Sequence, residues 1–152
     1  PMALTCCTPG VFDAFCDTEI SRGFFHGHTY SANPLACTAA IAGIDLLISD
    51  EIQDAIETIS GRHREFEERV KDHPVVERTR TLGVIFALDL NLESERYGNL
   101  RDRLYGFFME QGVFLRPLGN TIYLLPPYTI RDEELTRLYE SVWNSLEMLR
   151  ND

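Results

Sequence analysis

The pattern of apolar and polar positions sharpens along the chain, from short irregular runs at the start to clear helix and strand periods later. Residues 1–5 form a brief apolar run of strand type, and residues 11–15 suggest a short helix. Residues 24–33, FFHGHTYSAN, mix glycine, histidine, hydroxyls and aromatics with neither the helical nor the strand period, which predicts a loop. Asn33 then offers a side-chain cap and Pro34 a preset first-turn φ, so a helix starts there. Ile44, Leu47, Ile48, Ile52, Ala55, Ile56 and Ile59 follow at spacings of mostly three and four, which predicts one long helix with an apolar face. Its first part, 34–48, is rich in small alanines and reads as buried. Beyond Gly61 the segment RHREFEERVKDH has only Phe66 and Val70 as apolar positions, the pattern of an exposed helix closed by Pro74.

Further on, β-branched and apolar residues predict strands over 75–78 and 81–90 with a turn between them. Asn99 is placed to cap a helix whose Leu100, Leu104, Phe107 and Phe108 face inward, and Gly112 sits where a left-handed terminal glycine belongs. Residues 113–116 and 121–125 flank the turn sequence Pro117-Leu118-Gly119-Asn120 and read as a hairpin. Leu135, Leu138, Tyr139, Val142, Leu146 and Leu149 mark an amphipathic last helix, capped by Thr129 or Asp132. This order predicts an α/β fold of the α+β kind, a two-layer sandwich with a mainly antiparallel sheet. Residues 1–33 fall outside that unit.

Composition narrows the function classes. A chain of 152 residues with 44% hydrophobic content can bury a real core. A formal charge of -10 leaves no basic stripe, which makes nucleic acid and anionic membrane surfaces poor partners, and the excess acid reads as solvated surface. No apolar stretch reaches the length of a membrane span. Cys6, Cys7, Cys16 and Cys37 form neither a CxxC pair nor a disulfide framework, and no signal peptide is seen, which points to a reducing cytoplasm. A metal site from Cys6, Cys7 or Cys16 with His26 and His28 is conceivable, but small buried or incidental thiols are the better reading. The opening Pro1-Met2 places methionine second, so the sequence is expected to come from a longer chain.

Three features carry candidate chemistry. The loop His26-Gly27-His28-Thr29-Tyr30 runs into a helix start, where free backbone N–H groups favour an anion and a threonine hydroxyl adds a donor; alternatively its histidines cap backbone carbonyls. Arg116 follows the apolar run 112–115 and precedes Pro117, and its planar fork suits either a ligand carboxylate or an internal Asp or Glu. Tyr123 stands ahead of Pro126-Pro127, which ends the strand, and either presents its hydroxyl to a cleft or is a core aromatic with a wet tip.

These stretches also carry a family resemblance. FFHGHTYSANPLAC is similar to the loop and helix that follow the catalytic lysine segment in class III aminotransferases. GVFLRPLGNTIYLLPPYTI resembles the C-terminal strands of the biotin-pathway branch, and PMALT the strand just downstream of the cofactor lysine. The resemblance implies the C-terminal small domain of a fold-type I pyridoxal-phosphate enzyme with a remnant of its large domain. Residues 1–33 would end the large cofactor-binding domain, 34–60 would be a linking helix, and 61–152 the small domain. It implies a homodimer with active sites at the subunit interface. In that branch the amino group of S-adenosylmethionine, or of lysine in some relatives, passes by way of pyridoxal 5'-phosphate to 8-amino-7-oxononanoate, giving 7,8-diaminononanoate for biotin biosynthesis.

Carried across by position, Thr29 would bond the cofactor phosphate of the neighbouring subunit, Arg116 would hold the oxononanoate carboxylate, and Tyr123 would be a nearby active-site tyrosine. His28 matches a position where some members have proline and receives no role. Pyridoxal chemistry needs a Schiff-base lysine and an acidic partner for the pyridinium nitrogen, and by the resemblance both lie upstream of Pro1. Lys71, the only lysine, is expected on the surface, so no residue here is expected to be catalytic and the stretch alone is expected to be inactive. Two other readings stay open: a class III transaminase for ω-amino acids or ornithine, against which RPLGNTIYLLPPY argues, and a non-catalytic interaction domain of the same fold.

Overall fold

Side-chain caps and turn glycines set several element ends in the computed structural model, which describes residues 3–92 and 98–151. The chain divides into two compact units, residues 1–49 and 50–152.

In the first unit, α1 (Pro9–Asp13) opens at Thr8, whose hydroxyl accepts from the Val11 N–H at 3.4 Å. It starts ahead of the expected residue 11 because Thr8 and Pro9 supply a cap and a preset first turn. A 3-10 turn at Ile20–Arg22 is tethered by Asp17, which accepts from the Glu19 N–H and from Arg22 Nη1, both at 2.9 Å. Residues 3–5 form no strand, and the first two positions of that expected strand lie outside the described residues. Residues 24–33 form a loop, as their lack of period predicts. Helix α2 (Pro34–Leu47) starts as its sequence requires, with Asn33 Oδ1 accepting from the Ala36 N–H at 3.1 Å.

Two expectations fail along α2. None of its residues is buried, although the sequence reads as a buried helix, and Leu35 is 83% exposed. The single long helix is also interrupted: the Ile48 N–H closes α2 on Ile44 O at 3.0 Å, and Ser49 Oγ donates to Leu46 O at 2.7 Å. A hydroxyl that bonds back to the preceding turn competes with helix continuation.

The second unit begins with α3 (Asp50–Val70), whose first-turn Asp50 and Glu51 place negative charge at the positive end of the helix dipole, and which passes through Gly61 unbroken. The part beyond Gly61, expected to be exposed, has a buried face made of His63, Phe66 and Val70 that continues from Ile59. The spacing of four, three and four is helical, and His63 fills a position that polarity alone assigns to solvent.

Strands β1 (Val76–Leu82), β2 (Ile85–Leu90) and β3 (Thr121–Leu124) form one antiparallel sheet in the order β1-β2-β3. The β1–β2 turn is Gly83-Val84, not the expected break after residue 78, and Gly83 takes a φ of +55° that suits glycine. Helix α4 (Asn99–Glu110) is capped at Gly98, so Asn99 is its first residue and not its cap. It ends as expected at Gly112, where φ is +70°; the Gly112 N–H bonds Met109 O at 3.0 Å and the Val113 N–H bonds Phe108 O at 2.9 Å. Residues 113–116 are not a strand, and of the expected hairpin only the Leu118–Thr121 bridge forms. Helix α5 (Asp132–Arg150) starts after Arg131, whose N–H and guanidinium bond Glu134 at 3.0 and 2.7 Å, in place of a Thr129 or Asp132 cap.

One sheet face packs under the helices. Phe86, Leu88, Leu90, Ile122 and Leu124 lie buried with Phe66, Leu104, Phe108, Val142 and Leu146, which makes the two-layer α/β sandwich the sequence predicts. The centre of this core is polar at one point. His63 Nε2 lies 3.0 Å from Val84 O and Nδ1 lies 2.7 Å from the Tyr139 hydroxyl. A carbonyl can only accept, so Nε2 carries the proton and Nδ1 accepts from tyrosine. Burial holds the imidazole below its ordinary pKa, against a smaller opposite pull from the Val84 bond, and burial pushes the Tyr139 phenol up.

Candidate active site

The opposite face of the sheet carries the candidate site. Pro117 presets the turn before β3, Gly119 takes φ +63°, and the Leu118 and Thr121 backbones exchange hydrogen bonds of 2.9 and 3.0 Å. Exposure alternates on both arms of this turn: Leu115, Pro117, Gly119, Ile122 and Leu124 point inward, while Arg116, Leu118, Tyr123 and Leu125 point outward. Arg116 and Tyr123 each stand two residues from the bridged pair, so alternation brings both to one side. They line a single cleft of about 710 Å3 with Phe114, Leu125, Ile130 and Glu134.

Charge in this cleft is unevenly committed. Glu134 bonds Arg131, and that hydrogen bond holds its carboxyl down to about 2. Arg137 donates Nη2 to Gln111 O at 2.7 Å. Arg116 is exposed and has no carboxylate partner among the described residues, so the internal salt bridge open to it in the sequence is not formed. Tyr123 is 40% exposed on the face away from Ile122 and Leu124, which corrects the reading as a core aromatic.

The same sheet face holds a network that the sequence reading missed. Asp89 is buried and accepts five hydrogen bonds: from Arg78 Nε and Nη2, from Arg80 Nη1 and Nη2, and from Thr121 Oγ1. Burial pushes the Asp89 carboxyl up, but the bonds from Arg80, Arg78 and Thr121 outweigh it and lower its pKa to about 2. The signal was present: RTR in one strand places two arginines on one face, opposite a lone aspartate in the next.

Thr29 belongs to the first unit. It is exposed in the loop between two local turns, in which the Ser31 N–H bonds His28 O at 2.9 Å and the Asn33 N–H bonds Tyr30 O at 3.2 Å, and Ala32 takes φ 54°. The Thr29 hydroxyl has no partner among the described residues. The rings of His26 and His28 meet edge-on at 5.0 Å and cap no backbone carbonyl there, so the alternative histidine role is not realised. Cys6, Cys7 and Cys16 are exposed free thiols and Cys37 is half-buried, so of the two expectations, buried or incidental, the exposed three fit the second. Lys71 is at the surface, with its ammonium 2.6 Å from Glu68 Oε2; that hydrogen bond raises its pKa and keeps it charged. Among the described residues no helix is long and apolar enough to cross a membrane.

Residues 1–146 match the family of class-III aminotransferases. The chain belongs to that family. The adenosylmethionine-8-amino-7-oxononanoate aminotransferase of Synechococcus elongatus is 38% identical over 150 residues, which are 97% of this chain and 34% of that protein. The crystal structure of the enzyme of the same name from Methanocaldococcus jannaschii superposes with a TM-score of 0.74 at 26% identity, covering 93% of this chain and 34% of that one. A PLP-bound amine transaminase from an uncultivated Pseudomonas species gives 0.72 at 26% identity, over 86% of this chain and 31% of that one. The class III chain therefore spans about a third of the length of these relatives. Class III aminotransferases depend on pyridoxal phosphate. The open Thr29 hydroxyl fits one contact to the cofactor phosphate, whereas Lys71, charged and paired on a surface helix, does not fit the Schiff-base position.

Proposed function

We propose that this chain provides the carboxylate-binding part of a transaminase that moves an amino group from S-adenosylmethionine to 8-amino-7-oxononanoate, giving 7,8-diaminononanoate for biotin. The observation that carries this reading is Arg116, a guanidinium without a protein partner among the described residues, at an otherwise mostly apolar cleft of an acidic chain. A long, largely apolar keto acid with a single carboxylate matches such a cleft at both ends. The planar fork meets the carboxylate in two parallel bonds, and Phe114 and Leu125 offer apolar surface to the carbon chain. Tyr123, on the facing arm, presents its hydroxyl as a further hydrogen-bond donor to the same ligand.

Pyridoxal phosphate, when bound, supplies an electron sink at the carbon that carries the amino group. This chain's part toward the cofactor is to hold its phosphate through Thr29, in a homodimer across the subunit interface. The whole enzyme is cytoplasmic in this reading. The 38% identity to an enzyme of the biotin-pathway name favours a transaminase of 8-amino-7-oxononanoate over one of ω-amino acids or ornithine.

A chimera tests the substrate choice: this chain replaces the matching third of the Synechococcus elongatus relative, and amino transfer is assayed with a panel of acceptors. The reading expects 8-amino-7-oxononanoate to be preferred, with adenosylmethionine as donor. Preference for an ω-keto acid or a glutamate semialdehyde would support the ornithine or ω-amino acid alternative. A folded, dimeric chimera inert toward every acceptor would favour the non-catalytic interaction domain.

A further inference from the structure

Strand β3 is four residues long and lies at the edge of the sheet, so few ladder bonds fix its register. Both cleft residues depend on that register. Tyr123 is within β3, and Arg116 is linked to it through the Leu118–Thr121 bridge. A slip or tilt at Thr121 would therefore displace the two arms together. What holds Thr121 in place comes from β2. Asp89 pairs with Thr121 in the ladder, and its Oδ1 accepts from Thr121 Oγ1 at 2.8 Å. The neighbouring Asn120 adds a second clasp, with the Leu90 N–H donating to Asn120 O at 2.8 Å and Asn120 Nδ2 donating to Leu90 O at 3.0 Å. Asp89 is itself immobilised from the other side by Arg78 and Arg80.

The sheet face reads as two rows. Arg78, Asp89 and Thr121 lie side by side in one, and Arg80, Ala87 and Tyr123 in the next. Ala87 is the small member of its row, so the outer face between Arg80 and Tyr123 carries only a methyl group. The carboxylate that organises the first row is therefore the fixed point from which the second row, and with it the cleft wall, takes its position.

We infer that Asp89, acting through the Thr121 hydroxyl, is a positioning residue that sets the placement of Tyr123 and Arg116 for the substrate carboxylate. The inference rests on the proposed keto-acid reading of the cleft. It predicts that breaking the Asp89–Thr121 bond weakens ligand binding without a matching loss of fold, because Asp89 keeps its four bonds to the two arginines.

The test uses this chain, labelled with 15N and titrated with 8-amino-7-oxononanoate, following the Arg116 Nε–H and Tyr123 amide signals. Four proteins are compared: unsubstituted, Arg116→Ala, Thr121→Val and Thr121→Ser, with the unfolding midpoint of each measured alongside. Valine keeps the β-branched shape and removes the hydroxyl, whereas serine keeps the hydroxyl. The expected result is an affinity about tenfold lower in Thr121→Val, recovered in Thr121→Ser, with the Tyr123 amide of the free protein shifted only in the valine variant. If Arg116→Ala loses binding but Thr121→Val binds as the unsubstituted chain does, the positioning role is overturned and the keto-acid reading stands. If Thr121→Val and Thr121→Ser both lose affinity in step with lost stability, the bond is merely structural and the inference fails. If the unsubstituted chain shows no binding, or Arg116→Ala leaves it unchanged, the keto-acid reading fails and takes the inference with it.

Discussion

At the scale of single residues, the buried Asp89 and His63 both contribute to the pH dependence of the second unit. The Asp89 carboxyl is lowered to about 2 from an ordinary 3.8, so its folded pKa lies below the unfolded one. Its contribution is complete above about pH 4 and disappears as the pH falls toward 2. Asp89→Asn should cost about 2 kcal/mol at neutral pH and should remove that part of the acid loss, as read from urea unfolding across the range. A variant as stable as the unsubstituted chain would show that the two arginines contribute nothing through Asp89. His63 works in the same direction at higher pH. Its folded pKa is lowered from 6.5, so its neutral form is favoured in the fold and stability is lost as the pH drops below about 6.5. Unfolding free energy should decline from pH 7.5 to 5.5, and His63→Gln should flatten the slope in that window. An unchanged slope would place the titration elsewhere.

At the scale of elements, the two units should differ sharply in amide exchange. Strand β2 is central in its sheet and carries Phe86, Leu88 and Leu90 with no exposure, whereas α2 buries no residue. Exchange should be slowest in β2, which is bonded on both sides, and fast through residues 3–33 and α2; equal protection in α2 and β2 would contradict the structure. The same contrast explains how much the sequence revealed. Elements whose caps and apolar period agree were legible: α2 from Asn33-Pro34, the Gly112 end of α4, and the buried face of α5. Two of the misreadings share a cause, which is that polarity was taken for exposure. His63 looked like surface until Tyr139 and Val84 satisfied both ring nitrogens. Thr79-Arg80 looked like a turn until Asp89 on the next strand paired with Arg78 and Arg80. In both cases the partner lies on another element, which no local window contains. Apolarity was likewise taken for burial in α2. The sequence singled out Thr29, Arg116 and Tyr123 one by one as candidates, and the structure adds that the last two share a cleft with no internal counter-ion for Arg116 among the described residues.

At the scale of the whole molecule, a chain with net charge -10 keeps one guanidinium open in a cleft. On the same sheet face Arg78 and Arg80 find a carboxylate, and in the cleft Arg137 finds a carbonyl, whereas Arg116 finds neither among the described residues. The chain spans about a third of the length of these relatives, and the proposed reading gives the hold on the substrate carboxylate to Arg116. The most direct measurement compares the unsubstituted chimera with Arg116→Ala for two quantities, the Michaelis constant for 8-amino-7-oxononanoate and the free energy of unfolding. The account predicts a loss of keto-acid binding of about 2 to 5 kcal/mol, partly restored by Arg116→Lys, with stability unchanged within about 0.5 kcal/mol. A Michaelis constant unaffected by Arg116→Ala, together with a fold weakened by more than about 1 kcal/mol, would contradict it and return Arg116 to a structural role.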